Sequence, residues 1–445
     1  MGKEADSLEE QIEKMVRKFS EKPQNSDIQV ISHFDTDGIT SATIMIQTLK
    51  KLERSFTLKI VKSLNEETIK KLSKNKITFF LDLASNSIHH ILNYGLKDVF
   101  IIDHHQVIQE IPPEIVIINP ELNGKQKIST SGLTYLFCRH LNKETKEFAK
   151  LAILGMIGDM MEKEIGKLNN EILDDGNIKR KRGLLVYPAT RPINRVLELS
   201  SDPYIPGVTG NVEGVLELLR ETGLNPVDGK YKSLMELDDT EMGNLITGVL
   251  LRNPKTKSDS IIGDIFLIKF FNKLEDAREI SAKINACSRS NESSVAMQLC
   301  MEVPAANKRG EIIYAKYKQE IVSSLKFALE SGKIEGRGFI ILNAENNIRD
   351  TMIGTIASII SNSNLYEEGT AIITMAYYGD KIKVSARNVG KVGRNVREIL
   401  QNVVGEISGE VGGHEFAAGC NTEKKDEKRF LELLKKELEL EIIKI

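Results

Sequence analysis

The sequence predicts an α/β protein with a doubly wound parallel sheet, a helical insertion, and a smaller second α/β domain across a cleft. Short apolar runs alternate with helical segments over roughly the first third of the chain, and several of these runs end in acidic or histidine residues. Such alternation builds βαβ units, whose ligands collect at the carboxyl ends of the strands. The chain has 445 residues, more than one core comfortably supports, so two or more domains are expected.

The first domain is predicted to cover residues 1–164. Apolar residues at helical spacing over 8–19 predict an amphipathic helix that covers this domain. A strand at 28–32 is followed by a helix at 41–52, for which Thr40 or Ser41 is the expected cap. Further strands are predicted at 77–81, 98–102 and 115–118, and further helices at 131–140 and 148–157.

The alternation stops between residues 165 and 270, which we interpret as a mainly helical insertion, with one helix at 212–219. It contains the basic run Lys179-Arg180-Lys181-Arg182. Such a run is typical of a solvated loop, but it could also contact a phosphate backbone or serve as a docking surface. A connector is predicted over 271–304, with a helix at 274–286.

The second domain is predicted to cover residues 305–445. Strands are expected at 338–342, 371–375 and 381–387, with a helix at 352–360 and a terminal amphipathic helix at 426–443. Basic residues concentrate in one part of this domain, which we call the basic stripe: Lys381, Lys383, Arg387, Lys391, Arg394 and Arg397.

Composition indicates a soluble globular protein, with 28% charged and 41% hydrophobic residues. No apolar run approaches the roughly 18 residues that span a bilayer, and the polar N-terminus does not resemble a secretory signal. The four cysteines lack CxxC spacing, which fits a cytoplasmic location and argues against structural zinc. A net charge of −2 argues against a nucleic-acid coat protein but not against a nuclease.

Acidic and histidine residues follow the predicted strands at their carboxyl ends. These are His33, Asp35 and Asp37 after the first strand, Asp82 after the next, and Asp103-His104-His105 after the third, while Asp159 follows a helix. Charges at buried strand ends cost several kcal/mol each unless they are paired or bound to metal. The alternative is that the carboxylates cap helices. We favour a metal site, and mixed carboxylate and imidazole ligands suit Mn²⁺, with Mg²⁺ as the other candidate.

Four motifs appear in one order: Asp35-Thr36-Asp37, Asp82, Asp103-His104-His105 and Asp159. A fifth, Gly412-Gly413-His414-Glu415-Phe416-Ala417-Ala418-Gly419, lies near the end of the chain. Together they resemble the DHH phosphoesterase superfamily, and within it the archaeal RecJ-like nucleases, which combine a DHH domain with a DHHA1 domain. The motifs span nearly the whole chain.

The resemblance implies two bound ions, most simply Mn²⁺, that share a hydroxide, so no side-chain nucleophile is needed. The implied ligands are His33, Asp35, Asp37, Asp82, Asp103, His104 and Asp159. His33 is either a ligand or a partner of one. Asp103, His104 and His105 form the implied catalytic group, in which His105 donates to the scissile phosphate.

The resemblance also implies that the second domain grips the substrate. The implied contacts are Ser385, Arg387, Gly412, Gly413 and His414, together with Arg289 from the connector. Arg289 could instead make a structural ion pair. The two glycines could instead form a strand-to-helix turn.

The implied activity is exonucleolytic hydrolysis of single-stranded DNA or RNA, with a role in DNA repair. One alternative is a phosphodiesterase for short oligoribonucleotides or cyclic dinucleotides, and another is an inactive replication-associated scaffold. The expected partners are a single nucleic-acid strand and a replication or repair protein bound through the insertion, with no membrane. Polarity, preference for DNA or RNA, and oligomeric state stay open.

Overall fold

The computed structural model describes residues 7–107, 109–122, 126–200, 203, 205–252, 254, 258–363 and 365–439. The chain divides into two compact units. The first comprises Met1–Leu199 and Gly210–Tyr314, and the second comprises Ser200–Thr209 and Ala315–Ile445.

The first unit contains a parallel sheet of five strands within the described residues. Its strands are β1 (Ile28–His33), β2 (Phe56–Val61), β3 (Ile77–Leu81), β4 (Val99–Ile102) and β5 (Ile115–Ile118). Their spatial order is β2-β1-β3-β4-β5, and every neighbouring pair is parallel. The strand order therefore reverses between β1 and β3, which is where open α/β sheets bind ligands.

Helices cover both faces of this sheet, as a doubly wound fold requires. They are α1 (Leu8–Ser20), α2 (Thr36–Lys51), α3 (Glu66–Lys70), α4 (Ile88–Tyr94), α5 (Thr130–Leu141) and α6 (Ala149–Gly158). Alternate strand residues enter two cores: Val30, Phe79 and Phe100 join α1, α2, α5 and α6, whereas Ile31, Phe80 and Ile101 join α3 and α4. The predicted fold class is confirmed.

Two local predictions in this region are wrong or incomplete. The α2 helix is capped by Asp35, whose Oδ1 accepts a hydrogen bond from the Gly38 N–H at 3.0 Å, and not by Thr40 or Ser41. Strand β2 was not predicted, because its half-exposed residues alternate with polar ones such as Lys59 and do not form a continuous apolar run.

The rest of the first unit combines helices with a small antiparallel sheet. Its helices are α7 (Lys167–Asp175), α8 (Ile193–Glu198), α9 (Val212–Glu221), α10 (Asp239–Arg252), α11 (Ser258–Ile261), α12 (Ala277–Arg289) and α13 (Ser293–Cys300). Its strands β6 (Lys179–Leu184), β7 (Ile262–Phe270) and β8 (Lys273–Asp276) pair in the order β6-β7-β8. The insertion is therefore only partly helical, and the helix predicted from residue 274 begins at Ala277 because β8 precedes it.

The basic run Lys179–Arg182 lies in strand β6, so its assignment to a loop is wrong. Lys181 Nζ donates to three carbonyl oxygens at 2.6–3.1 Å, those of Leu234, Met235 and Leu237. Arg180 forms an ion pair with Asp264 on the neighbouring strand. Two of the four basic side chains therefore already stabilise the fold, while Lys179 and Arg182 are exposed.

The second unit contains the predicted strands and helices. Helix α14 (Pro304–Glu330) begins in the first unit and ends in the second. It is followed by β9 (Ile334–Gly336), β10 (Phe339–Asn343), α15 (Asp350–Asn362), β11 (Ala371–Tyr378), β12 (Lys381–Asn388), α16 (Val396–Gly405), β13 (Gly409–His414), β14 (Ala417–Glu423) and α17 (Glu427–Glu439).

These strands form a mixed sheet in the order β13-β14-β12-β11-β10-β9. Helices α16 and α17 pack on it through buried residues such as Leu400, Phe430 and Leu434. The last residues of the predicted terminal helix, 440–443, lie outside the described residues. No helix in the described part of the chain is long and apolar enough to cross a membrane.

Candidate metal centre

Six acidic and histidine side chains converge at the carboxyl edge of the parallel sheet, where the strand order reverses. Strand β1 ends in His33, the start of α2 carries Asp35 and Asp37, and Asp82 follows β3. His104 follows β4, and Asp159 is the C-terminal cap of α6. Residues far apart in the sequence therefore meet because parallel strands deliver their carboxyl ends to one edge.

The converging side chains form two overlapping sets, and within each set the ligand atoms lie within 4.8 Å of one another. We call His33, Asp35 and Asp82 the first ligand group. Asp37, Asp82, His104 and Asp159 form the second ligand group. Asp82 is common to both, and a further set that could hold an ion joins Asp82 and His104 to His105.

In the first ligand group, His33 Nδ1 lies 2.9 Å from Asp35 Oδ2 and 3.4 Å from Asp82 Oδ2. Burial opposes a positive charge on His33, but the two carboxylates outweigh it and raise the pKa of His33 well above its ordinary value. Burial likewise opposes ionisation of Asp35, but the His33 charge holds the pKa of Asp35 well below its usual range. The pair therefore favours an ionised carboxylate.

In the second ligand group, His104 Nε2 lies 3.4 Å from Asp82 Oδ1 and 3.3 Å from Asp159 Oδ2. Burial, followed by the negative charge of Asp82, raises the pKa of Asp37 to about 6. Burial, followed by the charge of Asp37, raises the pKa of Asp159 well above its ordinary value. These carboxylates repel one another, as expected of ligands with no cation between them.

Three buried polar atoms of the two groups lack a hydrogen bond of good geometry, although a group of opposite charge lies near each: His33 Nδ1, Asp82 Oδ2 and Asp159 Oδ2. Buried polar atoms are normally hydrogen-bonded, so orphaned atoms within an acidic cluster indicate a missing partner. Divalent cations would satisfy all three atoms, and the mixture of carboxylate and imidazole donors suits Mn²⁺. The residues therefore fit two divalent ions that share Asp82.

Asp103, the remaining predicted ligand, is surrounded by hydrogen-bond donors. It lies outside these sets. Its Oδ1 accepts from the backbone N–H groups of His104 and His105 at 2.9 and 3.2 Å, and its Oδ2 accepts from the Ser85 N–H at 3.0 Å. Oδ1 also lies 2.7 Å from His105 Nδ1. The turn after β4 engages Oδ1 and the segment after β3 engages Oδ2, so Asp103 ties these two segments together and holds the His105 ring.

Sequence reasoning missed the residues that hold the ligands in place. The backbone N–H groups of Thr130 and Ser131, at the start of α5, donate to Asp37 Oδ2 and Oδ1 at 2.7 and 2.9 Å. The Thr130 hydroxyl donates to Asp82 Oδ1 at 3.1 Å. The run around Thr130 is rich in Ser and Thr and predicts a helix start, but nothing in it indicates contact with the metal ligands.

Arg289 lies at the C-terminal end of α12, near the Phe34 ring. Its guanidinium is 5.8 Å from the centroid of the Phe34 ring, and its Nε donates to Asn285 Oδ1 at 3.1 Å. The Ser288 hydroxyl donates to the Phe34 carbonyl. These contacts pack the end of α12 against Phe34, which lies between His33 and Asp35 in the sequence.

The residues predicted to bind substrate in the second unit are brought together on its sheet. Arg387 of β12 pairs with Ala417 of β14, which in turn pairs with His414 of β13. Ser385 lies two residues before Arg387 and is buried. The Arg387 side chain donates to Ser358 Oγ at 3.2 Å.

The two glycines before His414 lie in strand β13 and not in a strand-to-helix turn. Gly413 has a φ of +115°, and a Cβ there would lie 2.4 Å from the Ala417 carbonyl oxygen. A Cβ at Gly412 would meet nothing within 4 Å. Only Gly413 of this pair is therefore required by the backbone.

The fold and the acidic cluster define an α/β protein with a candidate two-ion centre at the edge of its parallel sheet. Three family models match the chain: the "DHH family, N-terminal domain" over residues 27–156, the "DHH-CID domain" over 187–259 and the "DHHA1 domain" over 336–440. The chain belongs to the DHH superfamily, and its fold is RecJ-like.

One curated protein and two solved structures are similar to this chain along most of its length. An uncharacterized protein of Methanocaldococcus jannaschii is 29% identical over 445 residues, covering 95% of this chain and 96% of that protein. A crystal structure of exonuclease RecJ bound to manganese matches with a TM-score of 0.61 at 16% identity, covering 98% and 96% of the two chains. CDC45 from Entamoeba histolytica matches with a TM-score of 0.66 at 12% identity, covering 97% and 98%.

Proposed function

We propose that this protein is a metal-dependent exonuclease that hydrolyses phosphodiester bonds of single-stranded DNA or RNA from an end. The observation that carries the proposal is the pair of ligand groups that share Asp82. Bound there, two divalent ions, most simply Mn²⁺, would lower the pKa of a water molecule and stabilise charge on the phosphate oxygens. A nuclease among the fold relatives supports the choice of substrate.

His105 supplies a hydrogen bond to the scissile phosphate in this proposal. Its Nδ1 faces Asp103 Oδ1 at 2.7 Å, which leaves Nε2 to donate to a non-bridging oxygen. The His105 side chain is 42% exposed, so a substrate can reach it. Burial opposes protonation of the ring, but the Asp103 carboxylate outweighs it and raises the pKa of His105. The protonated ring is the better phosphate donor.

Residues of both units are proposed to hold the strand. Arg289 packs against Phe34, next to two ligands in the sequence, and is proposed to contact a phosphate, since a guanidinium binds phosphate through a planar pair of donors. In the second unit, Ser385, Arg387, Gly412, Gly413 and His414 are proposed as further contacts, supported by the strand register that joins Arg387 to His414. The basic stripe would add charge attraction along the backbone.

The experiment that tests this function is digestion of end-labelled DNA and RNA single strands, from two to twenty nucleotides long, with Mn²⁺ or Mg²⁺. We expect a product ladder that shortens one nucleotide at a time from one end and stops when excess chelator is added. Labelling each end in turn gives the polarity. Internal cleavage, or undiminished cleavage in chelator, would overturn the proposal.

A phosphodiesterase for dinucleotides or other short oligonucleotides is a second candidate, favoured by one observation. Arg180 and Lys181 are engaged in structural contacts, so the basic run of β6 offers less charge to a long strand than its sequence suggests. Faster turnover of dinucleotides than of twenty-residue strands in the same digestion would select this candidate.

An inactive replication-associated scaffold is the third candidate, and the fold likeness to CDC45 favours it. The complete set of acidic ligands argues against it, because a scaffold does not need buried carboxylates that repel one another. Absence of hydrolysis on every strand, with ion binding retained or lost, would select the scaffold.

A further inference from the structure

The start of helix α5 contacts both ligand groups through one residue, Thr130. Its backbone N–H donates to Asp37 Oδ2 at 2.7 Å, and its hydroxyl donates to Asp82 Oδ1 at 3.1 Å. Thr130 is completely buried. We infer that Thr130 is a positioning residue whose hydroxyl orients the shared carboxylate of Asp82 for two ions. This inference rests on the metal-dependent function proposed above.

The direction of this hydroxyl is unusual for a buried helical threonine. In α2, the hydroxyls of Thr40, Thr43 and Thr48 each donate at 2.8 Å to the carbonyl four residues earlier in their own helix. Thr130 is the first residue of α5, so no helical carbonyl precedes it by four residues. Its hydroxyl is therefore available to a partner outside the helix, and that partner is Asp82.

The backbone of Asp82 leaves the strand conformation at this position. Its φ is +62°, in the left-handed region that residues with a side chain rarely adopt. Thr130 engages Oδ1, while Oδ2 makes no hydrogen bond and lies 3.4 Å from His33 Nδ1. The hydroxyl thus fixes the carboxylate through one oxygen and leaves the other directed at the first ligand group.

Helix α5 is itself held firmly against the ligands. The Ser131 hydroxyl donates to the Ala152 carbonyl of α6 at 3.1 Å. A Cβ on Gly155 of α6 would lie 2.0 Å from Ser131 Oγ and 2.3 Å from Asp37 Oδ1, so the two helices can approach this closely only with glycine there. The Thr130 hydroxyl is therefore presented from a rigid support.

The test is a calorimetric titration of the full chain with Mn²⁺ after removal of metal by chelator. Thr130→Val keeps the shape of the side chain and the backbone contact to Asp37 but removes the hydroxyl. We expect it to weaken Mn²⁺ binding by about 10–100-fold, as losses of contacts to metal ligands generally do. Thr130→Ser restores the hydroxyl, so its affinity for Mn²⁺ should lie within about threefold of that of the natural protein. This difference is well below the loss expected for Thr130→Val.

Thr134→Val is the matched control. Thr134 is also completely buried, lies one turn further along α5, and its hydroxyl makes no hydrogen bond. The Thr134→Val variant should therefore bind Mn²⁺ with the affinity of the natural protein. Because positioning acts on ion affinity, raising the Mn²⁺ concentration should also restore the kcat of Thr130→Val, which a distorted active site would not allow.

The outcomes separate this inference from the proposed function. Natural affinity for Mn²⁺ in Thr130→Val, or equal losses in Thr130→Ser and Thr134→Val, would overturn the positioning role even if the natural protein degrades single strands. Weakened binding in Thr130→Val alone, with binding retained in the other two variants, would support it even if no nucleic acid is hydrolysed.

Discussion

Replacing Asp82 with asparagine tests the candidate metal centre most directly, because Asp82 belongs to both ligand groups. Asp82→Asn removes a charged ligand from each group, whereas Asp159→Asn removes one from the second group only. If the two groups hold one ion each, the first variant should bind both ions weakly. The second should keep one ion at His33, Asp35 and Asp82.

The magnitude follows from ion binding to the folded state alone. An ion at 100 times its Kd stabilises the folded protein by about 2.7 kcal/mol, so two ions contribute about 5 kcal/mol. Asp159→Asn should retain about half of this gain, and Asp82→Asn should retain almost none. Loss of an ion should also lower kcat at least about 10³-fold, equivalent to about 4 kcal/mol of transition-state stabilisation.

The assay is chemical denaturation of each variant with and without Mn²⁺, so that each variant serves as its own metal-free reference. Asp98→Asn is the control, because Asp98 immediately precedes β4 at the opposite edge of the same sheet and pairs with Lys22. The Asp98→Asn variant should keep the full gain in stability from Mn²⁺. If Asp82→Asn gains as much stability from Mn²⁺ as the natural protein, the shared-ligand interpretation is refuted.

Three further predictions concern the rest of the chain. Arg387→Ala should raise the KM for a single strand about 10–100-fold, the loss expected for a charged hydrogen bond. The affinity for Mn²⁺ should not change, and reduced Mn²⁺ binding would contradict a substrate role. Gly413→Ala should lower the free energy of unfolding by more than about 1 kcal/mol because the φ of Gly413 is +115°. Gly412→Ala should not have this effect. Equal losses of stability in urea denaturation of the two variants would count against this reasoning. Lys181→Met should destabilise the protein by about 2 kcal/mol, since it leaves three carbonyls without a donor. Lys179→Met, at an exposed position, should change stability by under about 0.5 kcal/mol. Similar urea midpoints for the two variants would disprove the structural role of Lys181.

The sequence predicted the sheet and its chemistry because both depend on local patterns. Apolar runs of four to six residues located β1, β3, β4 and β5, and the side chains that follow β1, β3 and β4 include every member of the first ligand group. Parallel strands deliver their carboxyl ends to one edge, so convergence followed from the fold class alone. The fold class did not predict which carboxylate oxygen of each acid faces which neighbouring side chain.

Two kinds of feature could not be predicted from local pattern. Thr130 lies 48 residues from Asp82 in sequence, and its contact depends on how α5 packs on the sheet. The basic run in β6 looked like a solvated loop, because four charges in succession hide the pairing of that strand with β7. In both cases tertiary contacts decide the role of a residue whose local sequence suggests something else.

Asp35 shows that helix capping and a place in a candidate metal site are compatible roles for one carboxylate. A carboxylate has two oxygens, and in Asp35 one accepts from the Gly38 N–H to cap α2 while the other lies 2.9 Å from His33 Nδ1. Asp82 divides its oxygens in the same way between Thr130 and the first ligand group. In Asp103 hydrogen-bond donors engage both oxygens, and it is the predicted ligand that the candidate metal sets omit. Asp37 shows that occupied oxygens alone do not exclude a carboxylate, because both of its oxygens accept backbone N–H groups and it still belongs to the second ligand group. Position at the sheet edge, more than the count of hydrogen bonds, therefore decides which acids join the candidate sets.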